Sequence, residues 1–163
     1  MPQLSSRSTL PQSRCPSAQT TSPASITREA LLRVLKYEDA PAKTHLLIDV
    51  RRTDHEGGTI HSSLNLPAQT FYHSRSTLAR LCSAAKVAVV VFYCGSSRGR
   101  GPRCACWFAD YLADHDIDGT QSVVLEGGVK GWVRAGREYI EFMEGFEGGK
   151  WEEQEEGGVV KGN

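Results

Sequence analysis

No apolar run in the sequence reaches the roughly 18 residues expected of a membrane-spanning helix, and the longest run, residues 87–93, has the length of a strand. The chain also lacks net charge, because 19 basic side chains balance 19 acidic ones. A neutral chain has no long-range attraction for nucleic acid or for an anionic membrane surface. We therefore expect neither nucleic acid nor membrane as a partner, and any bound anion must be held by a local site.

The cysteines are few and irregularly spaced. The five of them form no Cys-x-x-Cys pair and lack the dense spacing of a small secreted disulfide scaffold. This arrangement favours a reducing compartment, so we expect the protein in the cytoplasm, the nucleus or both. The histidines are scattered, and none has the spacing to a cysteine pair that a zinc site requires. We expect no metal.

Both ends of the chain have the composition of tails. Residues 1–24 are rich in Ser, Thr, Pro and Gln and contain few large apolar side chains, which predicts disorder. Their lack of acidic residues leaves mitochondrial targeting as an alternative, although four prolines disfavour the helix that targeting needs. Residues 144–163 are dominated by Glu and Gly and are predicted to be a second tail, with Trp151 on the surface. The folded domain is expected to span residues 25–143.

Strands and helices alternate within that domain. Apolar, β-branched segments predict strands, and amphipathic segments predict helices, the first of them capped by Ser25 or Thr27. The predicted strands are residues 46–50, 87–93 and 122–125, and the main predicted helices are residues 68–85, 102–115 and 129–134. This alternation indicates an α/β fold with a mainly parallel central sheet flanked by helices on both faces.

A glycine-rich loop joins the most apolar strand to a helix. It has the sequence Cys-Gly-Ser-Ser-Arg-Gly-Arg and spans residues 94–100. In open α/β sheets, ligands bind just beyond the carboxyl ends of the strands. Gly95 and Gly99 permit backbone conformations in which several N–H groups point at one anion. The N-terminus of the next helix and the bidentate side chain of Arg100 both favour a tetrahedral oxyanion.

The first residue of this loop, Cys94, is the candidate nucleophile. The N–H groups that favour an anion also favour the thiolate, which is the reactive form of cysteine. The thiolate could attack the phosphorus, arsenic or sulfur atom of a bound anion while the N–H groups stabilise its oxygens. Ser96 and Ser97 either bind the thiolate or anion or only shape the loop. Arg98 either touches the anion or faces solvent.

Three blocks of sequence carry a family pattern. They are Leu-Ile-Asp-Val-Arg at 47–51 with Glu-Gly-Gly-Thr-Ile at 56–60, the loop at 94–100 with Gly-Pro after it, and Leu-Glu-Gly-Gly-Val-Lys-Gly-Trp at 125–132. On these blocks, residues 25–136 resemble a rhodanese-like domain, and more narrowly the branch of the cell-division-cycle dual-specificity phosphatases and eukaryotic arsenate reductases. The resemblance implies that Cys94 is the nucleophile, Arg100 the oxyanion-binding arginine, and residues 95–99 the source of backbone donors.

Loop length separates the activities within this family. Sulfur-transferring rhodaneses have a loop one residue shorter. The phosphatases and arsenate reductases have a Cys-x5-Arg loop, and residues 94–100 of this chain have that longer form. The chain departs from the phosphatase pattern at Tyr93 and Thr59, where those enzymes usually have His, and at Val50, where the cell-cycle enzymes have a second cysteine. Its loop also contains no acid that could protonate a leaving alkoxide.

These features predict a cysteine-dependent phosphatase or arsenate reductase that acts on phosphate, arsenate or a phosphoprotein. Two alternatives remain open: a sulfurtransferase that works through a Cys94 persulfide, and a non-catalytic module that binds an anion or a phosphoprotein. No tightly bound cofactor is expected. For arsenate reduction, the family resemblance allows glutathione or a glutaredoxin to supply the thiol that resolves the covalent adduct.

Four residues outside the loop have predicted structural roles. Asp49 ends a buried strand and is expected to pair with an arginine or to accept backbone hydrogen bonds. Cys104 shares a helical stripe with aromatic residues and is predicted to lie in the core. Cys106 falls off that stripe and is expected to be partly exposed. Trp132 is predicted to pack the last helix onto the sheet.

Overall fold

The computed structural model describes residues 15–37 and 44–156. The strands are Ala24–Ile26 (β1), His45–Asp49 (β2), Thr59–Ile60 (β3), Ser63–Asn65 (β4), Val89–Tyr93 (β5), Gln121–Leu125 (β6) and Met143–Glu144 (β7). The helices are Arg28–Tyr37 (α1), Ala68–Ala85 (α2), Arg100–Asp114 (α3), Gly128–Arg134 (α4), Arg137–Ile140 (α5) and Gly148–Glu156 (α6). A short 3-10 turn, Thr53–His55, lies between β2 and β3.

The central sheet has the strand order β1-β6-β5-β2-β4, and all four neighbouring pairs are parallel. The predicted α/β fold with a mainly parallel sheet is therefore confirmed. β5 lies in the middle, with Val91 opposite Leu47 of β2 on one side and Val123 of β6 on the other. A continuously apolar sequence suits this position, because a central parallel strand is covered on both faces.

Helices cover both faces of the sheet, and β5 alternates between the two cores. Its Val90 and Phe92 belong to one apolar cluster, beneath α2 and α3, where Phe92 packs edge-on against Phe71 and Phe108. Its Val91 and Tyr93 belong to the other, with side chains from α1, α4 and α5. Trp132 of α4 is fully buried there, as predicted, and its Nε1 donates to the carbonyl of Tyr139 at 2.7 Å.

The local signals place α1 to α4 correctly, whereas α5 and α6 were not predicted. Thr27, rather than Ser25, caps α1, because its hydroxyl accepts the N–H of Ala30 at 3.2 Å. Ser25 lies in β1 and donates to Glu126 at 2.6 Å. Within the described ranges, no helix is both long and apolar enough to cross a bilayer.

The described parts of both predicted tails are packed against the domain. Trp107 of α3 donates to the carbonyl of Pro16 at 2.9 Å, and β1 extends the edge of the sheet. At the other end, β7 pairs with β3, and Trp151 of α6 is 8% exposed and donates to the carbonyl of Gly57 at 2.8 Å. Composition did not reveal these contacts, since main-chain bonds and single aromatic anchors hold them. The rest of the two predicted tails, residues 1–14 and 157–163, lies outside the described residues.

Candidate active site

The candidate site forms where three parallel strands end at one edge of the sheet. Cys94 follows β5 directly, and the loop it begins runs into α3 at Arg100. β2 and β6 flank β5, so the segments after Asp49 and Leu125 lie on either side of that loop. A pocket of about 550 Å³ opens here and is lined by Cys94, Arg100 and residues from both flanking segments. Five of the predicted site residues line this pocket, while two more, Ser97 and Arg98, line a neighbouring one. The five are Cys94, Gly95, Ser96, Gly99 and Arg100.

Cys94 lies at the base of this pocket and is 3% exposed. Its Sγ accepts a hydrogen bond of 3.4 Å from the N–H of Gly101, in the first turn of α3. A donor at a helix N-terminus favours negative charge on the sulfur. The site is tight at Gly101, where a Cβ would lie 3.3 Å from the Ser97 hydroxyl oxygen and 3.4 Å from the Cys94 nitrogen.

The first turn of α4 holds the loop from outside. The N–H groups of Val129 and Lys130 donate to the carbonyls of Cys94 and Gly95 at 3.0 and 2.8 Å. In a trans peptide the N–H points opposite to the carbonyl, so the next two loop N–H groups point away from α4. Gly128 makes this approach possible, since a Cβ on it would lie 2.4 Å from the Cys94 carbonyl oxygen. Gly127 and Gly128, at the start of α4, thus help to shape the loop.

The remaining loop residues differ in their surroundings. Ser96, Arg98 and Gly99 are exposed. Ser97 has a φ of 52°, in the left-handed region, and its hydroxyl oxygen is buried. In the described part of the chain, this oxygen is the one buried side-chain N or O atom without a hydrogen-bond partner.

Arg100 is paired with an acid that the sequence analysis did not single out. Its Nη1 and Nη2 donate to the two carboxylate oxygens of Asp54 at 2.7 and 2.5 Å. Asp54 comes from the 3-10 turn, 46 residues earlier in the chain. The guanidinium holds the pKa of the Asp54 carboxyl well below its usual range, and the carboxylate in turn raises the pKa of Arg100. The only sequence signal for Asp54 was its place after a strand that ends beside the loop.

A second acid–arginine pair lies beneath the loop. Asp49 and Arg51 are each 1% exposed, and both the Nε and Nη2 of Arg51 donate to the Asp49 carboxylate, at distances from 2.6 to 3.0 Å. Asp49 also accepts the N–H of Arg51 at 3.0 Å. Arg51 reaches further to the carbonyl of Gly58 at 2.7 Å. Asp49 thus pairs with an arginine and also accepts a backbone hydrogen bond.

Tyr93, the residue before the nucleophile, is part of the same buried network. Its hydroxyl exchanges a hydrogen bond of 2.6 Å with Thr59, donates to Ser63 at 2.8 Å and accepts the N–H of Ile60 at 3.2 Å. Burial raises the pKa of Tyr93 far above its ordinary value. Tyr93 is thus a neutral structural residue. Tyr93 and Thr59, which are hydrogen-bonded to each other, occupy the two positions where the family's phosphatases usually have His.

The other cysteines are free thiols within the described residues. Cys104 is fully buried in the core, as predicted, and burial raises its pKa to about 12. Cys106 was expected to be partly exposed, and this is wrong: it is 5% exposed, because helix α3 is packed on more than one side. Burial raises the pKa of Cys106 as well. Among residues 15–37 and 44–156, no three His, Cys, Asp or Glu side chains are grouped to hold a metal ion.

Comparison with known sequences finds relatives of one kind. A family model described as Rhodanese-like domain matches residues 33–135. Arsenate reductase 2.1 of Oryza sativa subsp. japonica is 38% identical over 102 residues, which are 56% of this chain and 58% of that protein. Arsenical-resistance protein 2 of Saccharomyces cerevisiae is 28% identical over 103 residues, 59% of this chain and 79% of that protein. The chain thus spans less than two thirds of the rice relative.

Two solved structures share the fold over nearly their whole length. The As-Sb reductase from Leishmania major has a TM-score of 0.66 and 24% identity, covering 85% of this chain and 99% of its own. Ygr203w, a yeast protein tyrosine phosphatase of the rhodanese family, has a TM-score of 0.65 and 19% identity, covering 81% and 99%. At these sequence identities the two structures are evidence for the fold alone.

Proposed function

Because the chain belongs to the Rhodanese-like domain family, we propose that it is an arsenate reductase in which the Cys94 thiolate attacks arsenate held by residues 94–100. One observation carries the proposal: the Cys94 sulfur accepts an N–H from the first turn of a helix, in a pocket that Arg100 also lines. The names of the rice and yeast relatives support arsenate as the oxyanion. Cys94 and Arg100 keep the catalytic roles expected of them.

The loop supplies the anion site. The N–H groups of Gly95 and Ser96 point away from α4, and the Ser97 hydroxyl is buried without a partner. Arg98 in the loop and Lys130 beside it add two cations, and Gly99 precedes the first residue of α3. Backbone donors that are already in place stabilise charge on the oxygens without reorganisation at the moment of reaction.

The chemistry balances with one external thiol. The Cys94 thiolate attacks dihydrogen arsenate, so that an S–As(V) bond forms, an As–O bond breaks, and the oxygen leaves as water with both arsenate protons. A second thiol then attacks the Cys94 sulfur, the S–As bond breaks, and its electron pair stays on arsenic as arsenite forms. The products are arsenite and a mixed disulfide on Cys94, which further thiol reduces. Two electrons thus pass from sulfur to arsenic.

The second thiol comes from solution. Cys104 and Cys106 are buried and have raised pKa values, so neither provides a ready thiolate. We propose glutathione or a glutaredoxin as the reductant. This requirement agrees with the reducing compartment, cytoplasm or nucleus, that the cysteine pattern favours.

Hydrolysis of a phosphate ester is less well supported, because the leaving alkoxide needs a proton. Asp54 is a carboxyl group that lines the pocket, and its lowered pKa keeps it ionised at neutral pH. Tyr93 is engaged in three hydrogen bonds below the loop. Arsenate needs no such acid from the protein, because dihydrogen arsenate carries both protons with which the oxygen leaves as water.

The test measures three activities of the purified, reduced protein. These are arsenate reduction with glutathione and glutaredoxin, hydrolysis of an aryl phosphate, and sulfur transfer from thiosulfate to cyanide. We expect arsenate reduction, its loss by at least about 1,000-fold in Cys94→Ser, and little change in Cys15→Ser. Cys15 is the matched control because it is only partly buried and lies beside Trp107, in another pocket.

Other outcomes contradict the proposal in distinct ways. Phosphate hydrolysis that depends on Cys94 would make the protein a phosphatase. Activity with thiosulfate alone would make it a sulfurtransferase and overturn the argument from loop length. Phosphate binding without any of the three activities would indicate a binding module. Arsenate reduction that survives Cys94→Ser would remove Cys94 from the reaction.

A further inference from the structure

Asp54 stands where the substrate is expected to bind. Its two carboxylate oxygens take both terminal nitrogens of Arg100, at 2.7 and 2.5 Å. A guanidinium binds a carboxylate and a tetrahedral oxyanion through the same pairs of parallel N–H donors. The pair of terminal N–H donors that holds Asp54 therefore cannot hold an external oxyanion at the same time.

The backbone of Asp54 is fixed while its side chain is not enclosed. The Asp54 carbonyl accepts a hydrogen bond of 3.4 Å from Arg51, which belongs to the buried pair beneath the loop. The side chains of Asp54 and Arg100 are 47% and 31% exposed. The Oδ1 of Asp54 also accepts the backbone N–H of Arg52 at 3.0 Å. Turning the exposed side chain into water needs no movement of the 3-10 turn, but it gives up this bond as well as the two from Arg100.

We propose that Asp54 is an internal competitor for Arg100, which the oxyanion displaces when it binds. The inference rests on the proposed anion-binding function of residues 94–100 and adds a rule for which anions bind there. When a ligand oxyanion replaces the Asp54 carboxylate on Arg100, one contact to the guanidinium is exchanged for a similar one, and the free energy of binding gains little. An anion therefore binds well only when it also engages the loop N–H groups.

This exchange selects anions by shape. A tetrahedral oxyanion can direct oxygens at Arg100 and at the loop N–H groups together, which repays the loss of the Asp54 contact. A small planar carboxylate such as acetate can match Asp54 at Arg100 but has too few oxygens to occupy the loop as well. Asp54 is thus a specificity-determining residue, and it excludes abundant small carboxylates from the site.

If Asp54 assists Arg100 instead of competing for it, replacement of Asp54 should weaken anion binding rather than strengthen it. If Asp54 orients Arg100 so that the guanidinium binds substrate through its remaining N–H groups, loss of the carboxylate weakens binding. If Asp54 only adds to the local negative field, then any nearby carboxylate acts in the same way. Glu56 provides that comparison, because it lies two residues away and 3.5 Å from Lys150, without a contact to Arg100.

The experiment measures binding without turnover. Calorimetric titration of inorganic phosphate and of acetate is compared for the full chain carrying Cys94→Ser, alone or with Asp54→Asn or Glu56→Gln. We expect Asp54→Asn to tighten the phosphate Kd about tenfold and to make acetate binding measurable, and Glu56→Gln to change the phosphate Kd by less than about twofold.

Any other result for phosphate binding would contradict the proposed role of Asp54. Weaker phosphate binding in Asp54→Asn would overturn the competitor role and make Asp54 a positioning residue. Equal tightening in Asp54→Asn and Glu56→Gln would reduce the effect to the local field and also overturn it. Phosphate binding that Asp54→Asn leaves unchanged would sink this inference while the proposed function stands. Absence of phosphate binding in all three proteins would overturn the anion-binding loop, and the inference with it.

Discussion

The site contains two aspartate–arginine pairs that differ mainly in burial. Asp49 and Arg51 are each 1% exposed, whereas the side chains of Asp54 and Arg100 are 47% and 31% exposed. A buried ion that loses its partner costs several kcal/mol, while an exposed pair contributes about 0–1 kcal/mol. The same two residue types therefore form a fixed support beneath the loop and a replaceable contact at its mouth.

The largest expected effect follows from breaking the buried pair. Asp49→Asn leaves the Arg51 charge buried without a counter-ion and weakens the bond from Thr59. We expect the free energy of unfolding to fall by about 3–5 kcal/mol, measured by denaturant titration. Asp54→Asn is the same chemical change at the mouth and serves as the control, with a loss of about 0–1 kcal/mol. Similar losses in the two variants would contradict the distinction between the pairs.

A smaller effect is expected from displacing the loop of residues 94–100. In Gly128→Ala, the new Cβ would meet the carbonyl oxygens of Cys94 and Gly95 at 2.4 and 2.6 Å. We expect a stability loss of about 1–3 kcal/mol together with weaker phosphate binding, measured by denaturation and calorimetry. Gly136→Ala is the control, because φ is +102° there but nothing lies within 4 Å of the new Cβ. It should lose stability and keep its phosphate Kd, so parallel losses of affinity would refute the steric argument.

The smallest effect concerns the pH dependence of the exposed pair. Arg100 lowers the pKa of Asp54 in the folded state, so the pair stabilises the fold above the ordinary aspartate pKa. That contribution is lost as pH falls through the lowered value. The stability difference between the wild type and Asp54→Asn, about 0–1 kcal/mol near pH 7, should therefore shrink toward pH 3. Denaturant titrations at several pH values measure it, and a difference that grows on acidification has the wrong sign.

Much of the fold could be predicted because its signals are local. The helix at residues 68–85 has the predicted bounds, and the strand before Cys94 and the helix after it were placed to within two residues. The short strands β1, β3, β4 and β7 were not predicted. They contain only two or three residues each and depend on partners far away in the chain.

The residues of the candidate site likewise divide into those with a local sequence signal and those that depend on distant contacts. The loop with Cys94 and Arg100 was recognisable because all of its parts are consecutive in sequence. Asp54 and Gly128 were missed as site residues, since their roles arise from contacts with residues 46 and 34 positions away, Arg100 and Cys94. No periodicity or short motif records such a contact.

By itself, the sequence determined the alternation of strands and helices, the length of the oxyanion loop and the position of its nucleophile. These follow from hydrophobic period, glycine content and the start of a helix, which act over a few residues. The tertiary structure alone decided that Asp54 faces Arg100 and that α4 holds the loop carbonyls. The reason is the strand order, which brings the ends of β2, β5 and β6 to one edge of the sheet.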